Sequence, residues 1–250
     1  SGAPVFTEIS TWDLTNTTSF ALTDAVTIKN IVGYREVNNH NYEDTDGTPW
    51  PVLSIERRDT FTQWSEELQL LGSTERLDWI VGAYWFNEEG SNQGISMTAQ
   101  REPAPGNTDA FGIEPLPRGF NSWSNTWVEG DNTSKALFAQ GTWRFTDRWS
   151  MTAGARYTMD EKTAVIRNQT GNLTGPTTCR FTVDADDNPA TPETRPAIGD
   201  CRLSVDEDFS EPTWNVSVEY KPTDDQMYYL AHRHGYRSGG FGARAATQAG

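Results

Sequence analysis

The chain lacks any long hydrophobic run, and this excludes a membrane-spanning helix. No segment of its 250 residues approaches about 18 consecutive apolar residues, the length a helix needs to cross the hydrocarbon core. A membrane-spanning β-strand needs only about 9–11 residues, with apolar side chains at alternate positions. The hydrophobic content of 35% therefore fits a soluble β-protein and a membrane β-barrel equally well.

Positive charge is also scarce. The chain has 20 Lys and Arg residues against 35 Asp and Glu residues, so its formal net charge is −15. Nucleic acid is excluded as a partner because phosphate binding needs a basic face. Simple charge attraction to anionic lipid surfaces is disfavoured for the same reason. The acidic residues fit either extracellular loops or ordinary solubilising charge.

Histidine is rare, which limits the chemistry available. None of the three histidines lies in a recognisable nucleophile motif, and no glycine-rich phosphate loop precedes a helix. Adjacent acidic residues on a strand point to opposite faces, so they do not form a glycosidase pair. We predict no catalytic residue, no metal site, no cofactor and no enzymatic activity. His232 and His234 share a strand face, but no third metal ligand accompanies them, so a polar pair is favoured over a metal or haem contact.

The two cysteines, Cys179 and Cys201, lie in one polar segment without a strand pattern. A disulfide formed in an oxidising compartment is favoured over two free thiols. A zinc site is disfavoured because no CxxC motif or nearby histidine is present. The start of the chain, Ser1-Gly2-Ala3-Pro4, is not a signal peptide, so an exported protein would have its true N-terminus upstream.

What the sequence does contain is a series of eight predicted strands with alternating short and long connections. The strands are predicted at residues 12–22, 26–37, 55–71, 77–86, 135–145, 149–167, 213–220 and 227–237. Every second connection is a short turn, and the others are long and polar. In an outer-membrane barrel the short turns gather at one rim and the long loops at the other. A soluble up-and-down barrel or a hairpin-rich sandwich would show a similar pattern.

Most of these strands have one apolar and one polar face. One face of residues 149–159 carries Trp149, Met151, Ala153, Ala155, Tyr157 and Met159. Residues 135–145 and 213–221 alternate in the same way. For the more uniformly apolar segment 77–86 we assign Leu77, Trp79, Val81, Ala83 and Trp85 outward, and residues 227–237 receive no assignment.

Large aromatic residues flank the short turns. They are Trp143, Trp149, Trp214 and Tyr220. An aromatic girdle at a membrane interface has this placement. We therefore predict an all-β fold, an antiparallel transmembrane β-barrel segment of about eight strands. Eight strands can close a small barrel, but long strands, long loops and the lack of a capping element favour an open part of a larger one.

Several segments in this order resemble the barrel strands of TonB-dependent receptors. They are Asn30–Arg35, Gln63–Leu70 with its Ser-Glu-Glu-Leu-Gln run, Trp79–Phe86, Ala139–Trp143 with Thr152–Tyr157, and Trp214–Asp224 with Tyr228-Tyr229 and Gly235–Phe241. The resemblance covers most of residues 25–90, 135–165 and 209–245.

The resemblance implies a role in outer-membrane transport. Receptors of this family have about 22 strands and a plugged lumen, and they import siderophores, cobalamin, haem or oligosaccharides. By this resemblance residues 1–250 are a partial barrel domain, with the plug domain and the closing strands absent. The implied partners are outer-membrane lipid of a Gram-negative bacterium, a small-molecule ligand (an iron complex or a sugar), and the TonB complex through the missing plug.

Aromatic residues in the long connections are the candidate ligand contacts. Trp50 lies in one long loop, and Phe120, Trp123 and Trp127 lie in the longest one. Binding residues favour loops on a rigid scaffold; the alternative is that these rings anchor the loops. Four charged residues are expected near the lumen or a rim, where they would contact the plug: Glu66, Arg144, Arg156 and Glu219.

Two other functions remain open from the sequence. A secreted all-β carbohydrate-binding module would place its Trp residues on one exposed sheet face and would stay monomeric without detergent. A passive porin would have no plug anywhere in its gene. The sequence does not identify the transported ligand.

Overall fold

A computed structural model describes residues 5–47, 52–98, 122–172, 177–180 and 201–242. In these ranges the chain forms β1 (Phe6–Thr23), β2 (Val26–Asp44), β3 (Leu53–Ser73), β4 (Leu77–Thr98), β5 (Ser122–Arg144), β6 (Trp149–Asn172), β7 (Thr178–Cys179), β8 (Arg202–Thr223) and β9 (Gln226–His234). All nine belong to one antiparallel sheet in the order β1-β2-β3-β4-β5-β6-β8-β9, and β7 pairs only with β6.

The predicted alternation of connections is confirmed. Residues 24–25, 74–76, 145–148 and 224–225 make the short connections at one end of the sheet, here called the turn end. Residues 45–52, 99–121 and 173–201 make the longer ones at the opposite end, here called the loop end. No helix in the described parts of the chain is long and apolar enough to cross a membrane.

The predicted strands are longer in the structure, mainly toward the loop end, except for the last one, which was predicted to reach residue 237 and ends at His234. β4 continues to Thr98, β5 begins at Ser122 and β8 begins at Arg202, so each gains about ten residues over the sequence prediction. The added segments pair fully with their neighbours. They carry polar side chains on both faces, so hydrophobic alternation gives no signal for them.

The register between the long strands is regular over most of their length. Irregularities occur only near the turn end, between Ala21 and Thr23 and between Tyr220 and Thr223, within the described pairings. Because successive side chains alternate across a strand, each residue keeps its face along the whole regular ladder. Register alone therefore assigns every strand residue to one of two faces.

The apolar face of the sheet is the more exposed one. Leu137 and Tyr157 are 63% and 45% exposed, whereas their strand neighbours Ala136 and Thr158 on the other face are 3% and 8% exposed. A soluble sheet has the reverse pattern, with its apolar face packed on a core. The sheet thus curves around its polar side. We call the side of Ala136 and Thr158 the inner face and the side of Leu137 and Tyr157 the outer face.

The outer face carries two belts of aromatic side chains. The turn-end belt comprises Trp79, Trp143, Trp149, Tyr220 and Tyr228. The loop-end belt comprises Trp12, Tyr34, Trp64, Trp85, Tyr157 and Trp214. Ring centroids of Trp149 and Tyr220 lie 4.4 Å apart, and those of Tyr34 and Trp64 lie 4.5 Å apart. Two aromatic girdles flanking an apolar band are typical of a transmembrane barrel.

The loop-end belt corrects one sequence interpretation. Trp214 was grouped with rings beside the short turns, but it lies six positions before Tyr220 and pairs with Ala155. Its ring stacks on His234, with centroids 4.2 Å apart. β8 continues beyond Trp214 toward the loop end, as far as Arg202. The predicted bounds of the strand were therefore a poor guide to the distance of Trp214 from the short turn.

Candidate functional site

The centre of the inner face is organised around Arg156 on β6. Its guanidinium lies 5.1 Å from the ring centroid of Tyr84 and 5.9 Å from that of Phe138. Its Nε donates a hydrogen bond of 3.1 Å to Thr158 Oγ1. A cation over aromatic faces is attracted by the ring quadrupoles. Gly82 permits this packing, because a Cβ there would collide with the ring of Phe138.

Charged side chains gather at the turn end of the same face. They border a recess of about 470 Å³ whose lining includes Arg144, Asp147, Glu219 and Lys221. Arg144 forms an ion pair with Asp78 across β4 and β5. Because both signs of charge are present, this rim can form charge-assisted hydrogen bonds with a polar partner inside the barrel.

The segment that follows β9 lies across the inner face, and we call residues 235–242 the inner strap. The Tyr236 hydroxyl donates to Asp160 Oδ2 at 3.1 Å, and Lys162 Nζ donates to the carbonyl oxygen of Gly239 at 2.7 Å. A Cβ on Gly239 would lie 2.7 Å from the Phe209 ring, so this position needs glycine.

The end of the inner strap borders a recess whose lining includes a pair of cross-strand glycines. Gly90 on β4 and Gly130 on β5 are direct cross-strand partners, and both lie on the inner face. Gly240 and Phe241 line the same recess of about 230 Å³. The Phe61 ring packs over Gly90, where a Cβ would collide with it, whereas the inner side of Gly130 is more open.

Burial, the hydrogen bond to Asp160 and the charge of Asp160 together raise the pKa of Tyr236 to about 12, with burial the largest cause. Tyr236 lies beyond the end of β9, outside the membrane-crossing strands. Its hydroxyl stays protonated at physiological pH and remains a donor to the carboxylate. The strap is therefore tethered over the ordinary pH range.

Three of the four charged residues predicted near the lumen or a rim lie on the inner face. Arg144, Arg156 and Glu219 are there by register. Glu66 is not in the lumen: it pairs with Val32 and Trp85 on the outer face, beside the loop-end belt. The inner position belongs to its neighbour Glu67, since a shift of one residue reverses the face.

Two of the four aromatic candidates for ligand contact, Trp123 and Trp127, lie in the described part of the chain. Trp123 and Trp127 lie in β5 instead of a loop, because residues 122–134 pair fully with both neighbouring strands. Register puts both on the outer side of the sheet. Trp127 lies under the Arg167 guanidinium at 4.6 Å, and Trp123 covers Gly171. Trp50 and Phe120 lie outside the described residues.

Cys179 and Cys201 form a disulfide with a Cα–Cα distance of 5.2 Å. Both side chains are buried. Cys179 belongs to the two-residue β7, which pairs with Gln169 and Thr170 on β6, and Cys201 directly precedes β8. The bridge therefore fastens the connection between β6 and β8 to the loop end of the sheet.

The two neighbouring histidines lie on the outer face, which the sequence left unassigned for this strand. His232 pairs with Val216 and His234 with Trp214. His234 Nε2 lies 3.6 Å from a carboxylate oxygen of Glu211. Within the described ranges, no three His, Cys, Asp or Glu residues are grouped so as to hold a metal ion.

The family comparison decides the membership of the chain. The family model described as TonB dependent receptor-like, beta-barrel matches residues 3–250. The chain belongs to this family. The match extends over nearly the whole sequence, including the strand extensions and the cysteine-bearing connection that showed no recognisable pattern. No curated protein is similar enough in sequence to match.

Solved structures of TonB-dependent receptors share the fold at low sequence identity. The ferric yersiniabactin uptake receptor FyuA from Yersinia pestis has 14% identity and a TM-score of 0.61, covering 91% of this chain and 28% of that one. The ferric-catecholate import receptor Fiu from E. coli K12 in its open form has 13% identity and a TM-score of 0.56, covering 92% and 36%. The siderophore receptor PiuA from Acinetobacter baumannii has 15% identity and a TM-score of 0.54, covering 91% and 32%.

This chain spans about a third of the length of these receptors. Sequence reasoning found the family and the turn-end belt. It missed the inner strap, the Arg156 cluster and the loop-end belt. The sequence did contain a signal for the loop-end belt, because the alternating outward side chains of β2, β3 and β4 end in Tyr34, Trp64 and Trp85.

Proposed function

We propose that this chain forms part of the wall of an outer-membrane receptor for energy-dependent uptake of a small ligand in a Gram-negative bacterium. The outer face contacts lipid, and the inner face lines the lumen against a plug supplied by another part of the receptor. The observation that carries the proposal is the exposure of the apolar face between two aromatic belts.

The proposed partners follow from this arrangement. β1 and β9 form the two edges of the described sheet, and each has one side that pairs with no other described strand. Backbone N–H and C=O groups left unpaired at these edges would be costly in hydrocarbon. Further strands of a larger barrel would pair with both edges. Arg156 and the mixed charges at the turn end supply hydrogen-bonding partners for a plug, and the plug would carry the contact to the TonB complex.

A ferric siderophore is the proposed ligand class, within the wider set of siderophore, cobalamin, haem or oligosaccharide. The support is the naming of FyuA, Fiu and PiuA as receptors for such compounds. Capture would take place at the loop end, where Trp50, Phe120, Trp123 and Trp127 are candidate contacts. Trp123 and Trp127 are the weaker pair because they pack on the outer side.

Uptake in a receptor-deficient strain tests the proposal. The complete receptor gene is expressed, and uptake of iron-55 bound to catecholate, hydroxamate or phenolate siderophores is compared with and without a functional TonB. TonB-dependent accumulation of one class is expected. Accumulation that is independent of TonB would favour the passive porin instead, and receptor found only in the soluble fraction would reject membrane function altogether.

A further inference from the structure

A polar patch interrupts the membrane-facing surface of β1, β2 and β3. On the outer face of β1, Asn16 and Thr18 stand between Leu14 and Phe20. On β2, Asn30 stands between Ile28 and Val32, and on β3, Glu66 stands between Trp64 and Leu68. All four polar residues lie on the turn-end side of the loop-end belt residue of their own strand, and Glu66 is also the direct cross-strand partner of the belt residue Trp85. We call them the outer polar patch: Asn16, Thr18, Asn30 and Glu66.

The patch contains two hydrogen-bonded pairs, one within β1 and one between β2 and β3. Asn30 Nδ2 donates to Glu66 Oε1 at 3.0 Å, and Thr18 Oγ1 donates to Asn16 Oδ1 at 2.9 Å. Glu66 is the residue nearest the loop-end belt, yet its bond points toward Asn30, deeper in the band. It therefore does not simply extend toward the headgroups, as a lone interfacial charge would.

Lipid is a poor partner for this surface. Polar and ionisable groups on the lipid-facing side of a barrel destabilise it to a degree that grows toward the midplane. Hydrogen-bonding groups left unsatisfied in hydrocarbon are costly. Asn30 and Glu66 lie on strands that are paired on both sides, and each retains unused capacity, because one amide hydrogen of Asn30 and one carboxylate oxygen of Glu66 have no hydrogen-bond partner among the described residues.

We propose that the outer polar patch is the interface between two copies of the receptor in the membrane. Two copies in one membrane are related by a two-fold axis along the membrane normal, and such an interface joins the same surface to itself. An axis through β2 brings β1 of one copy against β3 of the other. The amide side of the patch then meets the carboxylate side, and the donors and acceptors complement each other.

The surrounding residues suit such a contact. Leu14, Phe20 and Leu68 are exposed around the patch, and they supply apolar area for packing between the two outer faces. On β4, β5, β6 and β8 the outer face between the belts is apolar, as with Ala153 and Ala155 on β6. At the opposite edge of the sheet, β9 carries His232 in this band, so the patch on β1, β2 and β3 is the larger polar group of the described outer face. The polar patch thus marks one side of the barrel wall. The inference depends on the proposed membrane placement but not on the identity of the ligand.

Cross-linking of the complete receptor in native outer membranes tests the proposal. Asn30→Cys lies next to the proposed axis, and Ala155→Cys is a matched control on the same face and in the same band. Oxidation with copper phenanthroline is expected to give a dimer band for Asn30→Cys at least tenfold stronger than for Ala155→Cys. Dimer bands of equal strength in the two variants, no dimer band, or only products larger than a dimer would overturn the proposal. A cross-link from Asn30→Cys to a different protein would overturn it as well.

Two further variants separate loss of the interface from loss of folding. The double variant Asn30→Leu with Glu66→Leu is expected to abolish the detergent-extracted dimer while keeping the heat-modifiable barrel in the outer-membrane fraction. Glu66→Gln keeps the hydrogen-bonding capacity and should retain the dimer. Dimer that persists in the double variant would contradict the proposal. Wild-type receptor missing from the outer-membrane fraction would instead defeat the membrane placement, and the interface with it.

Discussion

Tyr236 donates its hydroxyl hydrogen to Asp160 across 3.1 Å, and this bond joins the segment after β9 to the inner face of β6. Lys162, two residues further along β6, holds the same segment through the Gly239 carbonyl oxygen. The strap therefore crosses the wall at two adjacent points.

Replacing Tyr236 by Phe is expected to loosen the strap without unfolding the sheet. The change removes one hydrogen bond, which contributes about 1 kcal/mol, equivalent to about a fivefold change in local opening. Hydrogen exchange of residues 235–242 in the complete receptor measures this effect. Tyr228→Phe is a suitable control because its ring lies on the outer face. Unchanged exchange in Tyr236→Phe would contradict the tether.

The same bond predicts the behaviour of the strap in alkali. The pKa of Tyr236 is raised from 10.0 to about 12, so the folded state binds this proton more tightly than the unfolded state. The contribution of the tether is fully present below about pH 10 and is lost as the pH rises through about 12. Tyrosinate absorbance should show a late step that Tyr236→Phe lacks. A difference spectrum with its midpoint near 10 would contradict the raised pKa.

Breaking the Cys179–Cys201 disulfide is expected to release the β6–β8 connection locally. Closing a loop with a sequence separation of 22 contributes about 3 kcal/mol in the chain-entropy account. Cys179→Ala with Cys201→Ala should speed proteolysis within residues 178–201, while the heat-modifiable barrel persists. Dithiothreitol on the wild type should have the same effect. Equal cleavage rates with and without the bridge would show that the connection is held by other contacts.

The aromatic candidates are expected to differ in their contribution to ligand affinity according to the segment in which they lie. Trp127→Leu should leave ligand affinity within about twofold, because the ring packs under Arg167 on the outer side. Trp50→Leu and Phe120→Leu are expected to weaken binding at least tenfold if the loops capture the ligand. Equilibrium binding of the iron-55 siderophore to receptor-containing membranes measures both. A large loss in Trp127→Leu would place the ligand against the outer wall and overturn the assignment of faces.

The sequence predicted the fold well where one strand face must be apolar. The alternation through Trp149, Ala153 and Tyr157 identified both the strand and its outer side. The prediction of strands failed in the segments whose outward face does not have to be apolar. In residues 202–212 the apolar side chains Leu203, Val205 and Phe209 lie on the inner face, and acidic residues interrupt both faces, so the outward apolar alternation that identified the other strands is missing here.

Features of the inner face depend on contacts between residues distant in sequence. Arg156 meets Tyr84 from two strands away, and Tyr236 meets Asp160 after the chain turns back. Neither has a local pattern. The face of Glu66 was uncertain because Glu67 is equally polar, and only the cross-strand pairing with Val32 and Trp85 decides between them.

Site-directed spin labelling along β6 tests the central claim most directly. Single labels at residues 152–156 of the complete receptor in lipid bilayers report accessibility to oxygen, which concentrates in hydrocarbon, and to a water-soluble nickel chelate. We predict high oxygen accessibility at Ala153 and Ala155 and low values at Thr152, Gly154 and Arg156, alternating with a period of two. A reversed alternation, or equal low oxygen accessibility at all five positions, would contradict the placement of the apolar face against lipid.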